Sequence, residues 1–236
     1  MWPSIITIEK FLDDDDLDTI QESIDAAAFV DGAVSAGGGN LDVKNNREMA
    51  AEQPYVEIVK LVERAIRRSL ELNFSVFPRA ITRAIVNRYD EGMSYGMHID
   101  SPVIGFMAQQ QAYGSFGQNY LRSDFSMTVF LTDPASYDGG ELTFASPWGS
   151  RVYKLPIGSA VIYPTGMPHE VTTVTRGSRL AAILWMQSMI RDHEQRRQVS
   201  DLNVLAQELL ALDRTSPLAL KARDLAANAL RLAADV

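Results

Sequence analysis

The sequence predicts an α+β fold in which a mainly β core is flanked by helices. Between residues 81 and 187, short segments rich in Val, Ile, Thr and Phe are separated by Gly, Pro and Asp, as is typical of a β-sandwich or barrel. On both sides of this stretch, apolar residues recur at helical spacing. Eight candidate strands suit a jelly roll, also called a double-stranded β-helix. They are 81–89, 96–100, 125–132, 140–145, 151–155, 160–164, 168–174 and 179–187.

Two helices are predicted before the strands. The first spans about 14–28 and begins with acidic residues, which are favourable at a helix N-terminus. We interpret the run Asp13–Asp16 as a helix cap, because four adjacent carboxylates cannot all face one cation. The second helix lies in EQPYVEIVKLVERAIRRSLEL, which has a charged face opposite one apolar stripe. The stripe consists of Val56, Val59, Val62, Ile66 and Leu70.

A helical hairpin is predicted after Arg191. One stripe is formed by Leu202, Leu205, Leu209 and Leu212, and a second by Leu218, Ala222, Leu225, Ala229 and Leu232. The turn RTSP separates them and places Pro217 at a first helical position. The hairpin either covers one side of the barrel or forms a homodimer contact. The chain thus divides into a helical and extended support region at 1–78, a jelly-roll core at 79–191 and the hairpin at 192–236.

Composition excludes several classes of protein. A net charge of −8 over 236 residues disfavours nucleic-acid binding, because it repels phosphate backbones. The N-terminus lacks the features of a signal peptide, and no stretch approaches the roughly 20 apolar residues of a membrane span. We therefore expect a cytoplasmic protein with no membrane or nucleic-acid partner. Because cysteine is absent, any metal site must use His, Asp or Glu.

His98 and Asp100 are the first candidate metal ligands. On a strand, side chains two residues apart project from the same face about 7 Å apart, so both can reach one ion. His169 opens another predicted strand and is the better third ligand, since His193 lies among charges in RDHEQRR. Two imidazoles and one carboxylate that leave coordination positions open are typical of non-haem Fe(II) oxygenases. A His-x-Asp triplet alone is also typical of a solvated strand end.

Arg179 is the candidate anchor for an anionic ligand. It lies near the start of the otherwise apolar strand RLAAILWMQ, where a buried cation requires an anionic partner. A guanidinium binds a carboxylate through two parallel hydrogen bonds, so Arg179 suits the far carboxylate of a dicarboxylic co-substrate. The alternative is a surface ion pair. In FSMTVFLT, alternation also predicts one core face and one more polar face, as a ligand cavity requires.

Four stretches carry a resemblance to a known family. They are FVDGAVSAGGGNLDVKNN, NRYDEGMSYGMHIDS, DFSMTVFLTDPASYDGGELTF and YPTGMPHEVTTVTRGSRLAAILWMQSMIRD. Together they resemble the PKHD-type hydroxylases of bacteria, which belong to the Fe(II)- and 2-oxoglutarate-dependent dioxygenase superfamily, in the branch related to prolyl 4-hydroxylases. The similarity runs over essentially the whole chain and extends well beyond the metal triplet.

The resemblance implies a role for each candidate residue. His98, Asp100 and His169 become iron ligands, and Arg179 becomes the partner of the distal carboxylate of 2-oxoglutarate. Tyr89 matches a tyrosine that hydrogen-bonds this co-substrate in related hydroxylases, although a strand tyrosine is more often a packed ring. Arg176 competes with Arg179, but TRGS is typical of a hairpin turn that leaves Arg176 outside. The family is also described as using ascorbate.

The implied reaction is hydroxylation of an unactivated C–H bond with O₂, releasing succinate and CO₂. The substrate is either a prolyl- or lysyl-type side chain of a peptide or a small metabolite. The loop between Asp100 and Phe125 is longer than expected in close relatives, and a loop of this length is usually a lid or a binding segment. Two alternatives are a non-oxidative, cupin-like metal-binding jelly roll, which leaves Arg179 without a role, and an interaction protein in which the triad is accidental.

Overall fold

The computed structural model describes residues 5–32, 43–105, 120–147 and 149–236. Contacts group the chain into two compact units. The first comprises Met1–Ala65 and Ala80–Met186, and the second comprises Ile66–Arg79 and Gln187–Val236. The division of the chain into three regions at residues 78 and 191 stays a prediction.

Strands and helices alternate along the described ranges as follows. The strands are β1 (Ile6–Ile8), β2 (Phe29–Asp31), β3 (Lys44–Asn45), β4 (Arg47–Met49), β5 (Pro78–Ile81), β6 (Ile85–Asp90), β7 (Ser94–His98), β8 (Val103–Gly105), β9 (Tyr120–Arg122), β10 (Phe125–Phe130), β11 (Leu142–Phe144), β12 (Arg151–Tyr153), β13 (Ala160–Pro164), β14 (His169–Val171) and β15 (Ser178–Ser188). The helices are α1 (Asp14–Asp25), α2 (Gln53–Arg68), α3 (Leu70–Val76), α4 (His193–Leu212) and α5 (Pro217–Ala233).

Two antiparallel sheets form the β core of the first unit. In the described residues, the larger sheet has the order β1-β13-β10-β15-β6-β4-β2, with β5 also beside β15. The smaller sheet has the order β12-β11-β14-β7-β3, and β8 and β9 form a separate pair. Sequence neighbours are rarely sheet neighbours, as expected when a chain crosses repeatedly between the two sheets of a jelly roll. The predicted mainly β core with flanking helices is confirmed.

Apolar side chains from both sheets meet in the core. Phe130 and Tyr163 of the larger sheet pack with Leu142 and Phe144 of the smaller sheet. At the other end, Tyr89 of β6 packs with a second group from the smaller sheet and the turns beside it. That group consists of Val171, Val174, Met93 and Tyr95. The inner faces of the two sheets are therefore where a buried site can form.

The structure revises several predicted boundaries. The predicted strand 81–89 corresponds to β6, which begins only at Ile85, whereas Ile81 ends the separate strand β5. Thr82, between these strands, bonds both backbone polar groups of Trp185. The predicted second helix is also divided, because Ser69 caps a new helix by accepting a hydrogen bond from Leu72 N at 3.3 Å. Strands β1 to β4, β8 and β9 were not predicted. Each has only two or three residues, which is too short for alternation to be recognised.

The acidic run at the start of α1 is a helix cap. Asp13 accepts a hydrogen bond from Asp16 N at 2.8 Å, and the Asp16 carboxylate accepts one from Asp13 N at 3.4 Å, which forms a capping box. Asp16 also forms an ion pair with Arg64 of α2. Helix α1 ends at Asp25 rather than at residue 28, because strand β2 begins at Phe29.

The C-terminal hairpin is confirmed, but its apolar stripes face differently from the prediction. Small residues lie at the centre of the α4–α5 contact, where Ala206, Ala222 and Ala226 pack with Leu202 and Leu209. Alanine allows the two helices to approach closely, and only some of the residues of each predicted stripe are buried in the contact. Five leucines of the stripes stay exposed: Leu205, Leu212, Leu218, Leu225 and Leu232. No helix within the described ranges is both long and apolar enough to cross a membrane.

Candidate active site

Three potential metal ligands converge between the two sheets. His98 ends β7 and His169 begins β14, and the two residues are direct partners across this antiparallel pair. Asp100 follows β7 by two residues. One ligand atom from each of the three side chains lies within 4.8 Å of those from the other two. The predicted strand 96–100 ends at His98, so Asp100 reaches the group from the segment after β7 and not from a shared strand face; the three ligand atoms nevertheless converge.

Both imidazoles are oriented by the backbone. His98 Nδ1 lies 2.8 Å from the Gly96 carbonyl oxygen, and His169 Nδ1 lies 2.9 Å from the Met167 carbonyl oxygen. A carbonyl only accepts hydrogen bonds, so each Nδ1 carries the proton and each Nε2 presents its lone pair. The Nε2 atoms lie 3.6 Å and 3.8 Å from the two Asp100 carboxylate oxygens. All three groups thus turn their electron pairs toward one point.

The protonation states suit metal binding. Burial alone would raise the pKa of Asp100, but hydrogen bonding and charge from His98, His169 and Ser126 outweigh it and lower the pKa. Burial lowers the pKa of His169 despite the opposing negative charge of Asp100. The site therefore favours an ionised carboxylate beside a neutral imidazole, which are the forms that bind a metal.

Polar residues that sequence reasoning missed hold the triad in place. Ser126 of β10 donates a hydrogen bond to Asp100 Oδ2 at 2.6 Å and lies 3.2 Å from Thr165 Oγ1. The Tyr163 hydroxyl lies 3.3 Å from His169 Nε2, and the Tyr95 ring stacks on His98 with centroids 3.7 Å apart. Alternation in the sequence placed Ser126 on the more polar face of β10. It did not indicate that Ser126 would contact Asp100.

Arg179 lies inside the barrel, and the described residues place no hydrogen-bond partner within 3.5 Å of its guanidinium. Its side chain is 0% exposed, and its three guanidinium nitrogens meet no acceptor in the described part of the chain. The guanidinium lies over the rings of Tyr89 and Phe130, 5.3 and 5.6 Å from their centroids. A buried cation without an acceptor is costly, so this position suits an anionic ligand. Because its side chain is buried, Arg179 does not form the surface ion pair that was considered for it with any described residue.

Tyr89 lies beside Arg179. The two residues are partners across β6 and β15, and the buried Tyr89 hydroxyl has no hydrogen-bond partner among the described residues. Burial raises the pKa of Tyr89, so its hydroxyl stays a proton donor. Arg179 and Tyr89 therefore offer donors to the same place, and an acceptor-only carboxylate would satisfy both.

Arg176 and His193, the less favoured candidates for the carboxylate anchor and the third metal ligand, lie at the surface. Arg176 is exposed and pairs with Asp138 at 2.7 Å, as predicted, but TRGS is not a hairpin turn, because it connects β14 of the smaller sheet to β15 of the larger sheet. His193 is the first residue of α4 and lies 3.6 Å from Glu194 at the surface. Neither residue belongs to the group around His98.

The donor set fits ferrous iron. Two neutral imidazoles and one carboxylate form the facial arrangement that non-haem Fe(II) oxygenases use, and it leaves positions for other ligands. The unpartnered guanidinium of Arg179 fits the free carboxylate of a chelating dicarboxylate.

Comparison with known proteins identifies the family. Residues 84–187 match the model of the 2OG-Fe(II) oxygenase superfamily. A PKHD-type hydroxylase of Rippkaea orientalis is 37% identical over 206 residues, which cover 87% of this chain and 88% of the relative. The chain belongs to the PKHD-type hydroxylases. It is an Fe(II)- and 2-oxoglutarate-dependent dioxygenase, and the cupin-like alternative is not favoured.

Solved structures show the same fold at low sequence identity. A prolyl hydroxylase from Trichoplax adhaerens, in complex with a hypoxia inducible factor peptide, has a TM-score of 0.56 at 15% identity over 83% of this chain and 86% of that chain. HygX from Streptomyces hygroscopicus, with nickel, 2-oxoglutarate and hygromycin B bound, has a TM-score of 0.51 at 11% identity over 79% and 83%. The predicted jelly-roll fold is thus confirmed.

Proposed function

We propose that this PKHD-type hydroxylase binds Fe(II) through His98, Asp100 and His169, and holds the distal carboxylate of 2-oxoglutarate with Arg179 and Tyr89. The convergence of the three ligand atoms within 4.8 Å carries the metal assignment. The buried, unpartnered guanidinium supports the co-substrate assignment, because no described side chain neutralises it.

The protein contributes geometry, charge and dryness to the reaction. When bound, ferrous iron with 2-oxoglutarate and O₂ supplies the oxidising chemistry that converts a substrate C–H to C–OH and releases succinate and CO₂. The Asp100 charge partly neutralises the metal, and the backbone carbonyls of Gly96 and Met167 fix the ligand tautomer of each histidine. Arg179 orients the co-substrate from its far end, which fixes its position relative to the metal.

The substrate is proposed to be either a prolyl- or lysyl-type side chain of a peptide or a small metabolite. The fold accommodates both kinds of ligand, since the Trichoplax enzyme was solved with a peptide and HygX with hygromycin B. The loop 101–124 is the proposed substrate segment. Its ends form the β8–β9 pair, and its middle, 106–119, lies outside the described residues.

Three further assignments are proposals. The family resemblance supports ascorbate as a reductant that keeps the iron ferrous, and the absence of cysteine is consistent with a cytoplasmic location. We also propose a homodimer through the C-terminal helices. It is supported by Leu218, Leu225 and Leu232, which recur every seven residues along α5 and are 63%, 51% and 89% exposed.

Anaerobic loading with Fe(II) and 2-oxoglutarate tests the proposed site. Wild-type protein is expected to show the weak visible charge-transfer band of the iron chelate, and Arg179→Ala is expected to need far more co-substrate to reach it. Absence of the band in wild type at saturating co-substrate would refute 2-oxoglutarate binding. Equal affinity in Arg179→Ala would refute the anchor assignment.

A further inference from the structure

Tyr137 carries a second buried hydroxyl that has no hydrogen-bond partner within 3.5 Å in the described residues. The residue is 1% exposed. Leaving a buried hydroxyl unpaired costs about 1–3 kcal/mol. Phenylalanine would fill the same space without the cost of an unpaired hydroxyl. The presence of tyrosine therefore indicates that the hydroxyl binds a ligand.

Tyr137 lies against Arg179. A Cβ added to Gly140 would lie 3.0 Å from Arg179 Cδ and 3.1 Å from Tyr137 Cε2, so this glycine leaves the space in which the two side chains meet. Burial raises the pKa of Tyr137, whereas the positive charge of Arg179 and hydrogen bonding with its side chain oppose the rise. The hydroxyl is therefore a neutral donor placed next to the buried cation.

The turn that carries Tyr137 is fixed to the strand that carries Arg179. Asp138 forms an isolated β-bridge with Arg176, and their side chains are joined at 2.7 Å. Gly177 permits this approach, because a Cβ there would collide with the Ser136 carbonyl oxygen. Arg176 thus has a structural role three residues before Arg179.

Lys154 holds the turn from the other side. Its Nζ donates a hydrogen bond to the Tyr137 carbonyl oxygen at 2.7 Å and lies 4.1 Å from the centroid of the Tyr137 ring. The backbone and the ring of Tyr137 are both restrained, whereas its hydroxyl is left unpaired. This is the arrangement expected of a preorganised binding group.

We propose that the Tyr137 hydroxyl is a third donor to the distal carboxylate of 2-oxoglutarate, beside Arg179 and Tyr89. The inference rests on the proposed function, in which Arg179 binds that carboxylate. A guanidinium and two tyrosine hydroxyls supply donors that one acceptor-only group can satisfy together. A carboxylate has about four lone-pair sites, which are enough for two bonds from Arg179 and one from each tyrosine.

Calorimetric titration of the metal-loaded full-length protein tests the proposal. Mn(II) replaces iron to prevent turnover, and the probes are 2-oxoglutarate and 2-oxopentanoate, which has the same chain length but no distal carboxylate. Tyr137→Phe is expected to weaken 2-oxoglutarate binding about tenfold, or about 1.4 kcal/mol, and to leave 2-oxopentanoate binding unchanged. Tyr153→Phe, which removes a hydroxyl from a half-buried ring on β12 of the smaller sheet, is the control and is expected to bind both probes as wild type does.

Each result decides a different claim. If Arg179→Met loses 2-oxoglutarate affinity while Tyr137→Phe changes it less than twofold, the Tyr137 inference is overturned and the proposed function stands. Equal weakening of both probes in Tyr137→Phe also overturns it, because that pattern indicates general damage to the site. If wild type binds no 2-oxoglutarate, or Arg179→Met binds it normally, the proposed function fails and takes this inference with it. Mn(II) stoichiometry, measured in parallel, is expected to be unchanged in Tyr137→Phe.

Discussion

Tyr89 and Arg179 face each other across strands β6 and β15, and the polar ends of both side chains are buried without hydrogen-bond partners in the described residues. Two neighbouring donors left unpaired in a protein core would normally be selected against. A bound carboxylate would accept hydrogen bonds from both side chains and so explains why they lie together. The unpaired donors therefore lower the stability of the ligand-free protein, and they form an anion site whose geometry is set before the ligand binds.

Arg179→Met is therefore expected to stabilise the ligand-free protein. Methionine removes an uncompensated buried charge and keeps most of the side-chain volume, so the gain should be about 1–4 kcal/mol, seen as a rise in Tm of several degrees. The same variant should lose the rise in Tm that 2-oxoglutarate gives wild type. Arg223→Met, which removes an exposed ion pair with Asp224, is the control and should change Tm little. A destabilised Arg179→Met protein would contradict an unpaired guanidinium.

His98→Ala is expected to abolish stable iron binding. The two remaining ligands cannot retain the ion against chelators, so the metal content measured after dialysis should fall from about one ion per chain to near zero. His193→Ala is the control, because this histidine lies at the surface next to Glu194. Unchanged metal content in His98→Ala would support the interpretation that the triad is accidental.

Ser126→Ala is expected to weaken metal binding without removing a ligand. The serine hydroxyl donates to Asp100 Oδ2 at 2.6 Å and so orients the carboxylate. Loss of such an orienting partner typically lowers metal affinity about 10- to 100-fold. Competition with a chromogenic chelator measures the change, and Ser23→Ala on α1 is a control that removes a hydroxyl bonded only within its own helix. Wild-type affinity in Ser126→Ala would show that Asp100 is oriented by other contacts.

Asp13→Ala is expected to lower stability by about 1 kcal/mol through loss of the N-cap of α1. Asp13 accepts the hydrogen bond from Asp16 N that begins the helix. Asp18→Ala is the matched control, since it removes the same charge from an exposed position inside the helix. Urea denaturation compares the two variants. Equal effects would indicate that net charge, and not capping, determines the change.

Replacing Leu218, Leu225 and Leu232 together by Gln is expected to convert the proposed dimer to a monomer. Light scattering after gel filtration should give about twice the chain mass of 26.1 kDa for wild type and the single-chain mass for the variant. Lys221→Gln, a polar change at an exposed position of the same helix, should leave the wild-type mass unchanged. A monomeric wild type would refute the dimer.

The sequence by itself predicted the longer helices and strands and the three candidate metal ligands, which the fold brings together. Alternation of apolar residues is set by the strand period and was visible in β10, whereas β15 was recognised as a continuous apolar run. The spacing of His98 and Asp100 predicted that both can reach one ion, although β7 ends at His98 and Asp100 follows the strand. Short strands such as β3 and β8 carry too few residues to show a period, and the division of the second helix depended on one capping bond at Ser69.

Only the tertiary structure decided which distant residues meet. The register of β14 on β7 places His169 opposite His98, and the register of β15 on β6 places Arg179 opposite Tyr89. Strand pairing between segments some 70 to 90 residues apart follows from the packing of the whole core, which no local pattern encodes. For the same reason, the contacts of Ser126 with Asp100 and of Tyr137 with Arg179 could be found only once the two sheets were in place.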